Sequence, residues 1–331
     1  MALIDSYGRK HDYLRISVTD RCNLRCIYCM GEAGIKLIPH QEILRYEEIL
    51  QVVEAGAAAG IRKIRLTGGE PLVRKDLATL VEKIAGVKGI EDLAMTTNGV
   101  LLSREAHRLK QAGLKRVNIS LDSLDRERYK RITRIGELKH VLEGIEAALR
   151  EGLAPVKINM VLMKGLNHDE VPAFLKLTAT RPLHVRFIEY MPIGDHDREY
   201  RRHYLPLEYV RETAARAGMP LIPVPSPGGA GPAETFAIPG AQGTVGLIRP
   251  ISQHFCHSCN RLRLTAEGKL KACLYWQDEH PVRPALGDPA KLQALYQKVL
   301  DLKAREHHMS PGRKSGPVNP GAMRTMSKTG G

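Results

Sequence analysis

Residues 13–18, Tyr-Leu-Arg-Ile-Ser-Val, alternate and are rich in β-formers, so they read as a strand. A helix is expected over 47–59, with Ile49, Leu50, Val52 and Val53 inside it and Gly60 as its stop. Leu44-Arg45 stands where a Ser cap would be expected before that helix. The same unit then repeats. Residues 63–67 form a strand, Gly68-Gly69-Glu70-Pro71 turns, and 76–85 are helical. Residues 92–96 form a third strand, Asn98-Gly99 turns, and Ser103 is expected to cap a helix to Ala112. A strand over 116–120 is followed by helical segments over 125–132 and 137–151. Strands over 156–161 and 183–188 flank a helix over 169–178.

Strands alternating with helical patterns predict βα units on a parallel sheet. Six units are fewer than the eight of a closed TIM barrel. The expected fold is α/β, either a partial (β/α)6 TIM-type barrel open on one side or a doubly wound sheet. In both, ligands bind at the carboxyl ends of the strands. The chemically informative residues recur there: a cysteine loop after strand one, Gly68-Gly69-Glu70-Pro71 after two, Thr96-Thr97-Asn98-Gly99 after three and Ser120-Leu121-Asp122-Ser123 after four.

Beyond about residue 190 the character changes. Residues 195–203 are charged and loop-like, 207–217 helical, and 220–243 rich in Pro and Gly. Short strands are expected over 235–238 and 244–248 and a helix over 290–303. The stretch 306–331 is basic and reads as a disordered tail ending in Gly330-Gly331. The organisation expected is therefore a barrel over 1–190, a C-terminal module over 191–305 and a tail over 306–331.

Charge sharpens this picture. With 50 Lys and Arg against 36 Asp and Glu, the formal net charge is +14. That points to anionic partners: nucleic acid, a membrane surface or a phosphorylated small molecule. Aromatic residues are only 5%, which disfavours platforms that stack single strands. No stretch approaches the ~20 apolar residues of a membrane span, and acid follows Met1-Ala2-Leu3-Ile4 too early for a secretory leader. A cytoplasmic protein with no membrane and no nucleic-acid partner is expected.

All six cysteines fall in two groups: Cys22, Cys26 and Cys29, then Cys256, Cys259 and Cys273. In a long chain of this kind clustered cysteines read as metal binding. Structural zinc and ferredoxin-type clusters both use four protein ligands. Three close thiols with no fourth suggest a cluster with one open iron. The second group leaves zinc open, since His254 or His257 could complete four ligands. Arg261 and Arg263 alternate with Leu beyond it and would project to one face of an extended segment.

The CxxxCxxC spacing after a first strand, followed by the Gly-Gly-Glu-Pro turn, resembles the radical S-adenosylmethionine superfamily. The second trio, Cys259-Asn260-Arg261-Leu262-Arg263-Leu264 and the terminal Gly330-Gly331 resemble, within it, the GTP 3′,8-cyclases of molybdenum cofactor biosynthesis. The resemblance covers nearly the whole chain, through Leu14–Cys22 (LRISVTDRC), Ile64–Pro71 (IRLTGGEP), Thr96-Thr97-Asn98-Gly99, Asn118–Ser123 (NISLDS), Lys157-Ile158-Asn159 and Phe187–Pro192 (FIEYMP).

It implies two [4Fe-4S] clusters and S-adenosylmethionine as cofactors. The N-terminal cluster, on Cys22, Cys26 and Cys29, would cleave S-adenosylmethionine to a 5′-deoxyadenosyl radical. That radical would take hydrogen from ribose C3′ of GTP, and C3′ would add to guanine C8. The product would be (8S)-3′,8-cyclo-7,8-dihydroguanosine 5′-triphosphate. The second cluster, on Cys256, Cys259 and Cys273, would hold the guanine through its open iron and make the C-terminal module that closes the barrel. By motif, Tyr28, Gly69, Ser120 and Met191 would bind S-adenosylmethionine. Arg15, Arg65, Thr96, Lys157, Arg261 and Arg263 would bind GTP. The Gly330-Gly331 tail would reach into the site. An electron donor and a downstream pterin-forming synthase are implied partners, with a monomer or homodimer equally open. Two other readings stand beside this one: a radical enzyme that modifies peptides, and a zinc protein that binds nucleic acid.

Overall fold

A computed structural model describes residues 2–193, 197–225 and 231–309. The first half alternates as expected: β1 (Tyr13–Ser17), α1 (Tyr46–Ala59), β2 (Lys63–Thr67), α2 (Leu77–Ala85), β3 (Asp92–Thr97), α3 (Leu102–Gln111), β4 (Arg116–Ser120), α4 (Arg126–Thr133), α5 (Leu138–Arg150), β5 (Val156–Leu162), α6 (Val171–Thr180) and β6 (Leu183–Glu189). The rest comprises α7 (Asp197–His203), α8 (Glu208–Arg216), β7 (Ile222–Pro223), β8 (Glu234–Ala237), β9 (Thr244–Ile248), β10 (Arg261–Leu264), β11 (Lys269–Lys271), β12 (His280–Pro281) and α9 (Pro289–Asp301).

The twelve strands among the described residues form one open sheet, in the order β12-β11-β10-β1-β2-β3-β4-β5-β6-β9-β8-β7. β1 to β6 run parallel. The C-terminal segment extends both edges: β10 pairs parallel with β1 and β9 parallel with β6. Short antiparallel hairpins finish each side.

Alternation along each strand divides the two faces. Leu14, Ile16, Ile64 and Leu66 are fully buried in one core with Ile49, Val52 and Val53 of α1 and with Tyr296 and Val299 of α9. Each such side chain contributes roughly 1.5–3 kcal/mol. The intervening residues, Tyr13, Arg15, Lys63 and Arg65, line a cavity on the opposite face. A doubly wound sheet would cover both faces with helices. Here one face packs on helices and the other bounds the cavity, so the partial, open barrel is the correct alternative.

Three local expectations change. Ser103 lies inside α3 rather than capping it. The turn before α3 is held instead by Asn98 and Thr97, whose side-chain oxygens accept from Val100 N (3.0 Å) and Gly99 N (3.0 Å). Residues 197–203 are helical, not a loop. Tyr200 is the apolar anchor that the surrounding charge obscured, packing edge-on to Tyr190 at 5.9 Å. The missing Ser cap of α1 is offset by Glu48, whose carboxylate accepts from Arg45 N at 2.6 Å. Gly330, Gly331 and all of the tail beyond Met309 lie outside the described residues. Among the described residues no helix is long and apolar enough to cross a membrane.

Candidate active site: two cysteine trios on one cavity

The cysteine loop after β1 is pinned by backbone contacts on two sides. Arg25 N and Ile27 N donate to Thr133 O (3.1 Å) and Ile132 O (3.0 Å) at the end of α4. From β2, Gly69 N donates to Thr19 O (2.7 Å) and Glu70 N to Arg21 O (2.8 Å). This approach explains the glycines. A Cβ at Gly69 would stand 2.2 Å from Arg21 O, and one at Gly68 2.5 Å from Thr19 O.

Glu70 then links the second and third strand ends. Its carboxylate accepts from Leu72 N (3.1 Å), Thr97 Oγ1 (2.7 Å) and Asn98 N (2.6 Å). Asn98 in turn donates to Asn23 Oδ1 (2.7 Å) and, at 3.9 Å, to Cys22 Sγ. Burial lifts the Glu70 carboxyl to about 7 despite these donors. After β4, Asp122 accepts from Tyr28 Oη (2.7 Å) and Val161 N (2.9 Å), and burial lifts it to about 6. The strand-end motifs are thus one hydrogen-bonded frame around the first trio. Neither Glu70 nor Asp122 was singled out as a site residue, although both stand within the motifs that were.

The second trio is placed by the C-terminal strands. Glu189, fully buried at the end of β6, accepts from Ile251 N (2.9 Å), Ser252 N (3.0 Å) and Ser252 Oγ. That fixes the turn leading to Cys256 and Cys259; β10 and β11 then carry the chain to Cys273.

Every residue expected in the site and described by the structure lines this single cavity. Cys22, Cys26 and Cys29 lie with Tyr28, Gly69, Ser120 and Met191; Cys256, Cys259 and Cys273 lie with Arg261 and Arg263; Arg15, Arg65, Thr96 and Lys157 complete the wall. Register aligns Arg263, Arg15 and Arg65 across three neighbouring strands, a row of guanidinium groups. The sequence reading missed Arg186 and Arg116, which line the same wall. Arg186, 9% exposed, interrupts an apolar strand as Arg65 and Lys157 do, and that signal could have found it.

These cations act on one another. Burial, then Arg186, Arg116 and Arg65, bring the Lys157 ammonium down to about 7. Burial and then Arg65 bring Arg186 down to about 9; burial and then Arg261 bring Arg263 down to about 10. Asn118, with its amide oxygen turned toward them, accepts from both Arg65 and Arg186 (2.8 Å for the latter). Tyr13 Oη, Arg65 Nε and Thr96 Oγ1 are buried without a partner among the described residues. Buried polar atoms are normally satisfied. A polyanion that brought acceptors would relieve both deficits.

None of the six thiols is in a disulfide, and all six are half-buried. Burial raises Cys22 to about 11; metal ligation is what deprotonates such thiols. Among the described residues no three Cys, His, Asp or Glu side chains gather closely enough for a single ion. Three thiols lining one cavity suit a cluster in which each ligates a different iron. His254 and His257, the possible fourth zinc ligands, are exposed and off the cavity, and His254 stands 3.4 Å from Glu306. The donor sets fit iron–sulfur clusters.

Residues 16–178 match the Radical SAM superfamily model, and residues 183–309 match the Molybdenum Cofactor Synthesis C model. The fold and site therefore define a radical S-adenosylmethionine protein with a cofactor-synthesis region at its C-terminal side. A relative from Listeria monocytogenes named GTP 3′,8-cyclase is 51% identical, over 93% of this chain and 92% of that protein. One of the same name from Pelotomaculum thermopropionicum is 51% identical over 99% of each, and one from Moorella thermoacetica 48% over 99% of each. The chain belongs to the GTP 3′,8-cyclase family. Among solved structures, Streptococcus suis SuiB bound to S-adenosylmethionine shares the fold, with a TM-score of 0.60 over 89% of this chain and 68% of that one, at 13% identity.

Proposed function

We infer that this protein converts GTP to (8S)-3′,8-cyclo-7,8-dihydroguanosine 5′-triphosphate, an early step of molybdenum cofactor biosynthesis. One observation carries this beyond family membership: both cysteine trios and a buried row of cations open onto the same cavity. When bound, the N-terminal cluster and S-adenosylmethionine supply the electron and the hydrogen-abstracting group, and the C-terminal cluster supplies an iron for guanine.

The chain's own residues position the reactants. Cys22, Cys26 and Cys29 hold the first cluster; Cys256, Cys259 and Cys273 hold the second. Tyr28, fixed by Asp122, lies with Gly69, Ser120 and Met191 to receive S-adenosylmethionine. The triphosphate takes Arg15, Arg65, Thr96 and Lys157, with Arg186 beside them, and Arg261 and Arg263 add charge near the second cluster. Arg is suited to such bidentate contact. Holding the ribose and the hydrogen-abstracting group at close range is worth several kcal/mol of barrier.

The proposal carries its context: a barrel over 1–190, a module over 191–305, and a tail over 306–331, with a role at the site proposed for Gly330 and Gly331, which lie outside the described residues. It includes an electron donor, a synthase that consumes the cyclised nucleotide, and a cytoplasmic location, where the thiols stay reduced. The peptide reading gains nothing from SuiB, a likeness in fold alone.

Lys157 offers a test. Its folded pKa lies near 7, below the ordinary 10.5, so above pH 7 the free site holds a neutral amine. Bound triphosphate favours the ammonium. GTP binding above pH 7 should therefore take up a proton, and the apparent Kd should rise toward tenfold per pH unit between about 7 and 9. Calorimetry in two buffers of different ionisation enthalpy reads that proton directly, and Lys157→Met should remove the slope. Failure to bind GTP at any pH would overturn the functional reading.

A further inference from the structure

A buried cation stands behind the second trio. Lys303 follows α9 and is 5% exposed. Its ammonium donates to Arg261 O (3.0 Å) and to Ala272 O, and lies 3.8 Å from Cys259 Sγ. Arg261 and Ala272 stand on the two arms of the β10–β11 hairpin, beside Cys259 and Cys273. All three ammonium donors are used, on two neutral carbonyls and a sulfur, so no carboxylate among these partners cancels the charge.

Cys22 of the first trio is set differently. Cys22 Sγ accepts from Leu24 N (3.4 Å) and Asn98 Nδ2 (3.9 Å), both uncharged, and the carboxyls of Glu70 and Asp122 share its wall. Hydrogen bonds to ligand sulfurs and local charge set cluster potentials. A cation on one ligand favours the reduced, more negative cluster.

We propose that Lys303 is a positioning residue of the C-terminal cluster: it holds the Cys259 and Cys273 arms together and, through its charge on the Cys259 sulfur, raises that cluster's reduction potential. This rests on reading the second trio as an iron–sulfur site.

The test is a redox titration followed by electron paramagnetic resonance, on full-length, anaerobically reconstituted protein. A background with Cys22, Cys26 and Cys29 all changed to Ser isolates the C-terminal cluster; the matching change at Cys256, Cys259 and Cys273 isolates the N-terminal one. Lys303→Met should lower the reduced-to-oxidised ratio of the C-terminal cluster about tenfold at fixed potential, a downward shift of about 59 mV, and leave the N-terminal cluster unmoved. Lys303→Arg, which keeps the charge, should hold the ratio within about threefold of the parent by the same measure. A full C-terminal cluster with unmoved potential in Lys303→Met, or equal shifts of both clusters, overturns the proposal. If Lys303→Met loses its iron, the Arg variant decides: a retained cluster at near-parent potential supports it, and lost iron overturns it. A parent protein that takes no iron at the second trio overturns the cluster reading as well, which separates the two failures.

Discussion

Cys22→Ser should abolish cleavage of S-adenosylmethionine, by at least about 10³-fold, while the chain stays folded and keeps its second cluster. Serine offers a hard oxygen where soft thiolate selects iron–sulfur chemistry. The loop does not depend on the thiol for its shape. Its backbone is tied to Gly69, Glu70, Ile132 and Thr133, and Arg25 Nη1 donates to Cys22 O and Leu24 O at 2.8 Å. Iron analysis should fall from about eight to about four per chain, as expected when one of two four-iron clusters is lost. The melting temperature of the iron-free protein should move little. Cleavage that survived the change would remove the first trio from the chemistry.

Arg261→Ala should separate two activities that normally run together. Arg261 begins β10, lines the cavity between Cys259 and Arg263, and lies over the Phe255 ring at 5.1 Å. It pairs in register with Tyr13, at the opposite end of β1 from the first cysteine loop. Its loss should leave cleavage of S-adenosylmethionine within a few-fold of normal. Cyclisation should fall about 10²-fold, corresponding to the roughly 3 kcal/mol lost when one partner of a desolvated charged contact is removed. The readout is 5′-deoxyadenosine formed per cyclised nucleotide. A ratio that stayed constant would mean that Arg261 does not position the substrate.

How much of this was legible before the structure depended on the range of the interactions. The six βα units followed from alternation and local stops, and Arg65 and Lys157 announced themselves as charges inside apolar strands. Both Arg261 and Arg263 face the cavity, as their alternation required. What escaped was set by distant partners. β10 joins β1, and β9 joins β6, across most of the chain, and no local pattern encodes such pairing. Glu189 reads as an ordinary strand end until Ile251 and Ser252 are seen to donate to it. Residues 197–203 looked like a loop because their charge concealed one anchoring tyrosine. Glu48 replaced a missing Ser cap by a reciprocal contact that depends on helix geometry rather than on the capping residue.

If the two trios serve one cavity and one substrate, hydrogen is removed at ribose C3′ of GTP. GTP carrying deuterium at C3′ tests it directly, in anaerobic incubation with the reconstituted protein, S-adenosylmethionine and a reductant. One deuterium in 5′-deoxyadenosine by mass spectrometry, together with the cyclised triphosphate, is the expected result. Deuterium-free 5′-deoxyadenosine, with the label still on C3′ of an unchanged GTP, would contradict it.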